Sequence, residues 1–527
     1  MLKDHYDYII VGAGAAGCVL ASRLSEDEGA QVLLVEQGAS SNSLLVNMPA
    51  AVGAAINTGR FSQVFDDEDA GGGSGLSQIQ GRTLGGSTAI NGMMYVRGNP
   101  ADYDEWALAG CEGWAYRDVL PYFLKAEGHC SREGQFHSQD GPLGVSSPNR
   151  VALSPTQTGF LQAATDAGYM TTDDFNGARQ EGFGLYDRTT SKGVRSSAYR
   201  AYIVKSEPRE NITVAASCKV TRIEIDNERA QGIRVRNGMT ERSIRAGEVI
   251  ICAGAYQSPQ LLMLSGIGDK TKLEPLGVRV VVDAPGVGAN LQNHPDITVQ
   301  YRTPSNALFG ADRFPRKQLI GLQWLLSGTG VGASNLYEVG GFVRSRVECA
   351  NPDLQLTLFD LALEPGTMMS RPYPGFQIHI TLVKPESRGE VALRSVSPDD
   401  PPIIRLNYLS SSQDLAALRS GLNVVRGIAA QRAFNGIETY PGPFIQSNTE
   451  IDDWIRTKLA SFFHPVGTCR MGRAGDIMTV VDPKLRVYGV SNLRVVDASV
   501  MPTIPAGNTY APTVMVAEKA ADIIKEK

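Results

Sequence analysis

Histidine and cysteine are scarce in this chain, and neither gathers into a cluster. The seven cysteines (Cys18, Cys111, Cys130, Cys218, Cys252, Cys349 and Cys469) include no CxxC pair, which excludes a zinc ribbon and a disulfide framework; an odd, dispersed set reads as reduced thiols in a cytosolic compartment. Six histidines are spread as thinly, and the nearest approach to a ligand set, His129, Cys130 and His137 in a polar loop, is too sparse for a metal to be expected. Positive charge is lacking as well. Fifty Lys and Arg against 55 Asp and Glu leave a net charge of −5, so no basic face is offered to nucleic acid. No stretch approaches the roughly 18 uninterrupted apolar residues of a membrane span, and the acidic, glycine-interrupted start does not have the form of a signal peptide. A cytoplasmic location is the expectation, with peripheral membrane attachment left open. With 42% hydrophobic and 20% charged residues, 527 residues suffice for two or three globular domains, and disorder is excluded. The expected partner is a small molecule.

What is present is a nucleotide turn at the very start. In YIIVGAGAAGCVLASRLSEDEGAQVLLVE (8–36) an apolar run from Tyr8 to Val11 reads as a buried strand, Gly12, Gly14 and Gly17 punctuate a turn, and Cys18 to Leu24 carries helical spacing. Each glycine has its own task. Gly12 makes the turn, Gly14 lets backbone approach a pyrophosphate, and Gly17 with Ala21 allows the helix to pack closely on the strand. Phosphates would sit on the helix N-terminus, where unpaired N–H groups favour an anion. A second strand, Val32 to Val35, ends at Glu36, nineteen residues after Gly17, where a carboxylate takes ribose hydroxyls. Strand, glycines, helix, strand and acid in register predict a dinucleotide site.

Further along, residues 47–80 read as an irregular excursion containing DDEDAGGGSG. Gly81 to Gly98, GRTLGGSTAINGMMYVRG, is a glycine-dense turn followed by small residues that could start a helix. Tyr103 to Gly128 is helical in pattern, 129–150 a polar connection, and 211–254 a strand meander ending in the buried EVIICAGA. GAYQSPQLLMLSGIG (254–268) returns to strand, turn and helix, so the nucleotide domain is expected to be discontinuous. Between about 304 and 463 alternation takes over. FQIHITLV (376–383) puts Phe376, Ile378, Ile380 and Leu382 on one face and Gln377, His379 and Thr381 on a wetter one, which indicates an antiparallel sheet. LQLTLF (354–359) alternates likewise, and PESRGE reads as a turn between FQIHITLV and VALRS. Buried-strand pattern resumes at NLRVVDAS, and a closing helix from about Pro512 to Lys525 has proline in its first turn. The fold class is α/β, α+β overall: a Rossmann-like domain over 1–155, 195–303 and 464–527, and a substrate domain on an antiparallel sheet over 156–194 and 304–463.

Two polar residues stand out near the C-terminus, His464 in SFFHPVGTCRMG and Asn508 in PAGNTYAP. An imidazole presented by a loop suits a general base at neutral pH, but a satisfied structural histidine and a turn asparagine are equally consistent with the residues alone. Resemblance connects them. The segments GRTLGGSTAINGMMYVRGNPADYD (81–104), GAYQSPQLLMLSGIG (254–268), PGVGANLQNHPDI (285–297), HPVGTCRMG (464–472) and LRVVDASVMPTIPAGNTYAPTVMVAEKAAD (493–522), with the opening fingerprint, resemble in order the signatures of the glucose-methanol-choline (GMC) oxidoreductases, which bind FAD. GLQWLLSGTGVGASNLYEVGGFVRSR (321–346) is similar to bacterial choline dehydrogenase-like members.

The resemblance implies that Gly12, Gly14, Ala15, Ala16 and Gly17 cradle the FAD pyrophosphate and that Glu36 holds the adenosine ribose. It further implies that Arg82, Gly85, Gly86, Thr88, Asn91, Gly92, Met93 and Met94 line the pyrophosphate and isoalloxazine, that Val220 meets the adenine, and that Asp497, Ala498, Asn508 and Thr509 complete the cofactor site. His464 and Asn508 match the catalytic pair, removing the alcohol proton and donating to the developing alkoxide while hydride leaves for flavin N5. The start of the helix near Pro512 would stabilise negative charge on the flavin. Three departures qualify this. Ile90 stands where some members attach FAD through a histidine, so FAD is expected to be non-covalent. Phe463 replaces the tyrosine of choline-specific relatives, which argues against a quaternary ammonium cage and for a larger, less charged primary alcohol. Tyr510 stands where asparagine is usual. The electron acceptor, oxygen or a quinone-like molecule, is left open, and a flavin-binding lyase of the hydroxynitrile lyase kind or an NAD-linked dehydrogenase are the alternatives.

Overall fold

The computed structural model describes residues 2–68, 76–205, 209–304, 306–364, 367 and 369–526. The nucleotide turn forms as its sequence dictates: strand His5–Val11, helix Ala15–Leu24, strand Val32–Val35. All four side chains of Val32–Val35 are buried, the mark of a parallel strand covered on both faces. These two strands lie at the centre of a seven-stranded sheet, flanked by Ile212–Ala215 on one side and Thr240–Ile251 on the other. Leu493–Val495 pairs in parallel with the end of Thr240–Ile251, so this one strand separates the last strand from the first, His5–Val11. The opening helix is held to the closing helix, Tyr510–Lys525, by Arg23, whose Nε and Nη2 donate to the fully buried Glu518 at 2.8 and 2.9 Å.

A second seven-stranded sheet carries the other layer, with the order Ile437–Tyr440, Pro295–Arg302, Gly375–Leu382, Leu354–Phe359, Val339–Val343, Gly182–Leu185, and with the short Ala460–Ser461 also paired to Pro295–Arg302. Phe376, Ile378, Ile380 and Leu382 face a hydrophobic core with Leu354, Leu356, Leu358 and the helix Ser412–Ala429, which leaves Gln377 and His379 for the other face. That face turns toward the nucleotide sheet.

Several expectations change. The 47–80 excursion is ordered where it is described: helix Val52–Asn57 leads to a hairpin of Ser62–Asp66 with Ser77–Gly81, while residues 69–75 of DDEDAGGGSG lie outside the described residues. The small-residue segment after Gly85 makes only a single 3-10 turn, Gly86–Ala89. Only three strands of 211–254 form an antiparallel meander; Ile212–Ala215 pairs in parallel with Val32–Val35. PESRGE does not connect a hairpin, because Glu390–Ala392 pairs with Ile403–Arg405. A boundary at 303 would put Pro295–Arg302 with the nucleotide half, yet it pairs antiparallel along its whole length with Gly375–Leu382. The last three differences are strand pairings that local pattern does not specify.

The polar connection 129–150 begins as a parallel pair, Glu127–His129 with Leu143–Val145, built over a buried ionic cluster. His137 lies between Glu127 Oε2 (3.1 Å) and Asp174 Oδ2 (2.8 Å), and Arg97 Nη2 approaches Glu127 Oε1 at 3.0 Å. The two carboxylates hold His137 charged, raising its pKa to about 9 against the desolvation that opposes this. A histidine raised in the folded state contributes stability below its unfolded pKa near 6.5, and that contribution is lost as pH climbs through about 9. His137→Gln should therefore lower the melting temperature at pH 6 by an amount corresponding to about 2–3 kcal/mol, with the gap to the wild type closing by pH 10. A gap that does not change with pH would show that His137 stabilises by packing alone.

Candidate active site

Between the two sheets lies a cavity of about 1010 Å³. One end is built from the nucleotide turn. Gly12 has φ +104°, and a Cβ there would meet Cys252 O at 2.4 Å; a Cβ on Gly17 would sit 1.8 Å from Gly12 O. These two glycines are fixed by the protein itself. Gly14 differs, since a Cβ built on it meets nothing of the polypeptide within 4 Å, and it faces open cavity. Glu36 closes this end, Oε2 accepting from Ala13 N (3.0 Å) and Oε1 from Gly38 N (2.8 Å). Its burial pushes the carboxyl pKa up to about 7, against the pull of the two amides.

The cavity runs on past Gly86, Thr88 and the 91–94 loop. Arg195, buried behind this loop, donates to Asn91 Oδ1 at 2.7 Å and Asn91 O at 2.8 Å, and Met93 N donates to the same Oδ1 at 3.2 Å. Met93 (φ 59°) and Phe463 (φ 62°) both hold left-handed backbone on the cavity wall, a conformation that costs energy and collects at functional sites.

At the far end stand His464 and Asn508. Asn508 Oδ1 accepts from Gln355 Nε2 at 3.3 Å, which turns its Nδ2 toward His464 Nε2, 3.2 Å away. His464 Nδ1 faces His294 Nδ1 at 3.0 Å; the His294 ring is fully buried near the main chain of Val383 and Pro505, and its Nε2 has no hydrogen-bond partner among the described residues. One assignment of protons fits both contacts of His464: its Nδ1–H donates to the Nδ1 lone pair of His294, and its Nε2 lone pair, on the cavity wall, accepts from Asn508 Nδ2. Desolvation pulls the His464 pKa down to about 3 and holds His294 well below its ordinary value too, so both rings are neutral at pH 7. Asn293 Oδ1 accepts from the backbone N–H groups of both His294 (2.9 Å) and His464 (2.7 Å).

The facing wall is polar. Asp296 Oδ2 accepts from His379 Nδ1 at 2.7 Å and its Oδ1 from Thr381 Oγ1 at 2.7 Å, while Gln377 Nε2 donates to His379 Nε2 at 3.0 Å. Tyr337 and Phe462 pack on the His379 ring.

Of the residues named from sequence, Gly12, Gly14, Ala15, Ala16, Glu36, Gly86, Thr88, Asn91, Gly92, Met93, Met94, Val220, Asp497, Ala498, Asn508, Thr509, Phe463 and His464 line this one cavity. Gly17, Gly85 and Arg82 do not. Gly17 packs on backbone, Gly85 N donates to Ala13 O, and the Arg82 side chain is exposed. Tyr510 opens the closing helix and donates to Ser196 O at 3.2 Å. Asn293, His294, Asp296 and His379 were not singled out. Their signals were the HPDI motif and the wetter face of FQIHITLV.

Residues 6–296 and 385–517 match two family models, both described as GMC oxidoreductase. The oxygen-dependent choline dehydrogenase of Vibrio vulnificus (strain YJ016) is 43% identical over 533 residues, covering 100% of this chain and 95% of that protein. The mitochondrial choline dehydrogenase of Homo sapiens is 43% identical over 537 residues, covering 99% and 90%. Among solved structures, the pyridoxine 4-oxidase from Mesorbium loti superposes with a TM-score of 0.90 at 27% identity, covering 99% of each chain, and a formate oxidase with 0.91 at 26%.

Proposed function

The chain belongs to the GMC oxidoreductase family, and from that membership we propose that it oxidises a primary alcohol to the aldehyde, with His464 as general base and Asn508 as hydrogen-bond donor to the reacting oxygen. It is an FAD-dependent alcohol oxidoreductase. The open face of Gly14 and the run of cavity from Glu36 to Asn508 fit FAD: Gly12, Gly14, Ala15 and Ala16 would hold the pyrophosphate, Glu36 the ribose, Val220 the adenine, and the 91–94 loop with Thr509 the ring. When bound, FAD supplies the hydride acceptor.

The single observation that carries the reading is that His464 Nε2 and Asn508 Nδ2 converge, 3.2 Å apart, in the cavity that begins at the nucleotide turn. An alcohol hydroxyl entering between them takes over this contact, donating its proton to the Nε2 lone pair and accepting from Asn508 Nδ2–H. As negative charge develops on that oxygen, the amide donor, already oriented by Gln355, strengthens without reorganising. The curated relatives are choline dehydrogenases. Here Phe463 forms part of the wall, and both oxygens of Asp296 are engaged by His379 and Thr381, which supports an alcohol less charged than choline.

The test is an anaerobic screen of aliphatic, aromatic and quaternary-ammonium alcohols. Bleaching of the flavin with formation of aldehyde is expected, and admission of oxygen then separates an oxidase from a dehydrogenase. A cyanohydrin cleaved with no bleaching by any alcohol would favour the lyase. Ile90 is an aliphatic side chain packed among Val46, Ala55, Phe61 and Ala89, so acid precipitation should leave a colourless pellet and a yellow supernatant.

A further inference from the structure

The helix Arg316–Ser327 (RKQLIGLQWLLS) is set on the molecule the wrong way round for a globular protein. An amphipathic helix ordinarily turns its apolar stripe to the core. Here Trp324 is the one fully buried side chain, its indole N–H donating to Gly193 O at 2.7 Å. At 100° per residue, Leu319, Leu322 and Leu326 lie opposite Trp324, spaced i, i+3 and i+7, with Leu325 beside them. All four are exposed, from 52% at Leu322 to 79% at Leu326, and Phe314, just before the helix, is 82% exposed. Single exposed leucines need no explanation, but a continuous apolar face does.

The charge around this face is equally one-sided. From Arg313 to Ser327 there are three cations, Arg313, Arg316 and Lys317, and no acid; Asp312, just before them, accepts from Ser370 Oγ, and the protein as a whole carries a net charge of −5. Among the described residues none of the three is in an ion pair. Arg316 donates to the carbonyls of Phe309 and Ala307, and Arg313 lies over the Phe309 ring at 5.2 Å, so their positive charge is positioned at the start of the helix without being neutralised.

We propose that this helix docks the enzyme on an anionic lipid surface, with Leu319, Leu322, Leu325, Leu326 and Phe314 entering the headgroup–acyl boundary and Arg313, Arg316 and Lys317 meeting the lipid phosphates. An outward apolar face bordered by cations is the chemistry of an interfacial helix, and clustered cations are drawn to an anionic leaflet. A second copy of this chain is the poorer occupant, because a protein of net charge −5 presents the same apolar and cationic face to its twin.

The FAD-loaded enzyme is mixed with vesicles of phosphatidylcholine containing phosphatidylglycerol, and with phosphatidylcholine alone, and sedimented. Binding to the anionic vesicles is expected, weaker to the neutral ones and weaker at high salt. The double variant Leu322→Glu, Leu326→Glu should bind at least ~10-fold more weakly, while oxidising alcohol with a soluble dye acceptor at the wild-type rate, which shows that it is folded. Three results would overturn the proposal: wild-type enzyme left in the supernatant, a double variant that sediments like the wild type, or a wild-type dimer that the substitutions convert to monomer.

Discussion

His464→Ala is expected to slow reduction of the bound flavin by alcohol at least ~10²-fold, while the variant still purifies yellow. The size of the effect follows from what the imidazole does and from what remains without it. In the proposed reaction His464 Nε2 accepts the proton, its ring held through Nδ1 against the buried His294, and no carboxylate stands within hydrogen-bond distance of His464 to replace it among the described residues. Asn508 would still donate to the alcohol oxygen, so some acceleration persists, but the hydroxyl proton would have to leave to water. The cofactor end of the cavity, around Gly14 and Glu36, involves other elements, so flavin content should not change. Stopped-flow reduction under anaerobic conditions measures this directly. A variant that is reduced at the wild-type rate removes His464 from the base role.

The second large effect is expected at Gly14. Its backbone, φ −79° and ψ −157°, is extended, and a Cβ built there meets no protein atom within 4 Å beyond its chain neighbours. Gly14→Val should therefore fold, with an apoprotein melting temperature close to that of the wild-type apoprotein. Its branched methyls would occupy the space a pyrophosphate needs against the helix start, an overpacking cost of about 1–3 kcal/mol, and FAD affinity should fall by up to ~10²-fold. Gly17→Val supplies the contrast. Its Cβ would lie 1.8 Å from Gly12 O, so that variant should lose the fold and not merely the cofactor. Flavin titration and thermal melting of the two apoproteins separate the cases; equal affinity for FAD in Gly14→Val and wild type would mean that no phosphate approaches Gly14.

The contrast also marks what was legible in the chain. Strand, turn and helix at 5–35 rest on contacts between near neighbours, and the spacing of Gly12, Gly14 and Gly17 sufficed. The alternation of 376–383 likewise revealed both faces of a strand, including the wet one. What spacing could not reveal is which strand lies beside it. Asp296 and His379 are 83 positions apart, and they meet because Pro295–Arg302 pairs with Gly375–Leu382 in a register that sets Asp296 opposite Thr381 and Thr298 opposite His379. The pairing of His464 with Asn508 came only from family resemblance. Among the described residues neither side chain has a local hydrogen-bond partner; each is delivered by a loop and bonded to residues far off in the chain.

The single oxygen of Asn293 that accepts from the main chain of both His294 and His464 has a mechanical consequence. The two histidines hang by their main chains from one peg, so a single side chain sets the spacing on which the 3.0 Å contact between their Nδ1 atoms is built. Loss of that one oxygen would release both mounts at once.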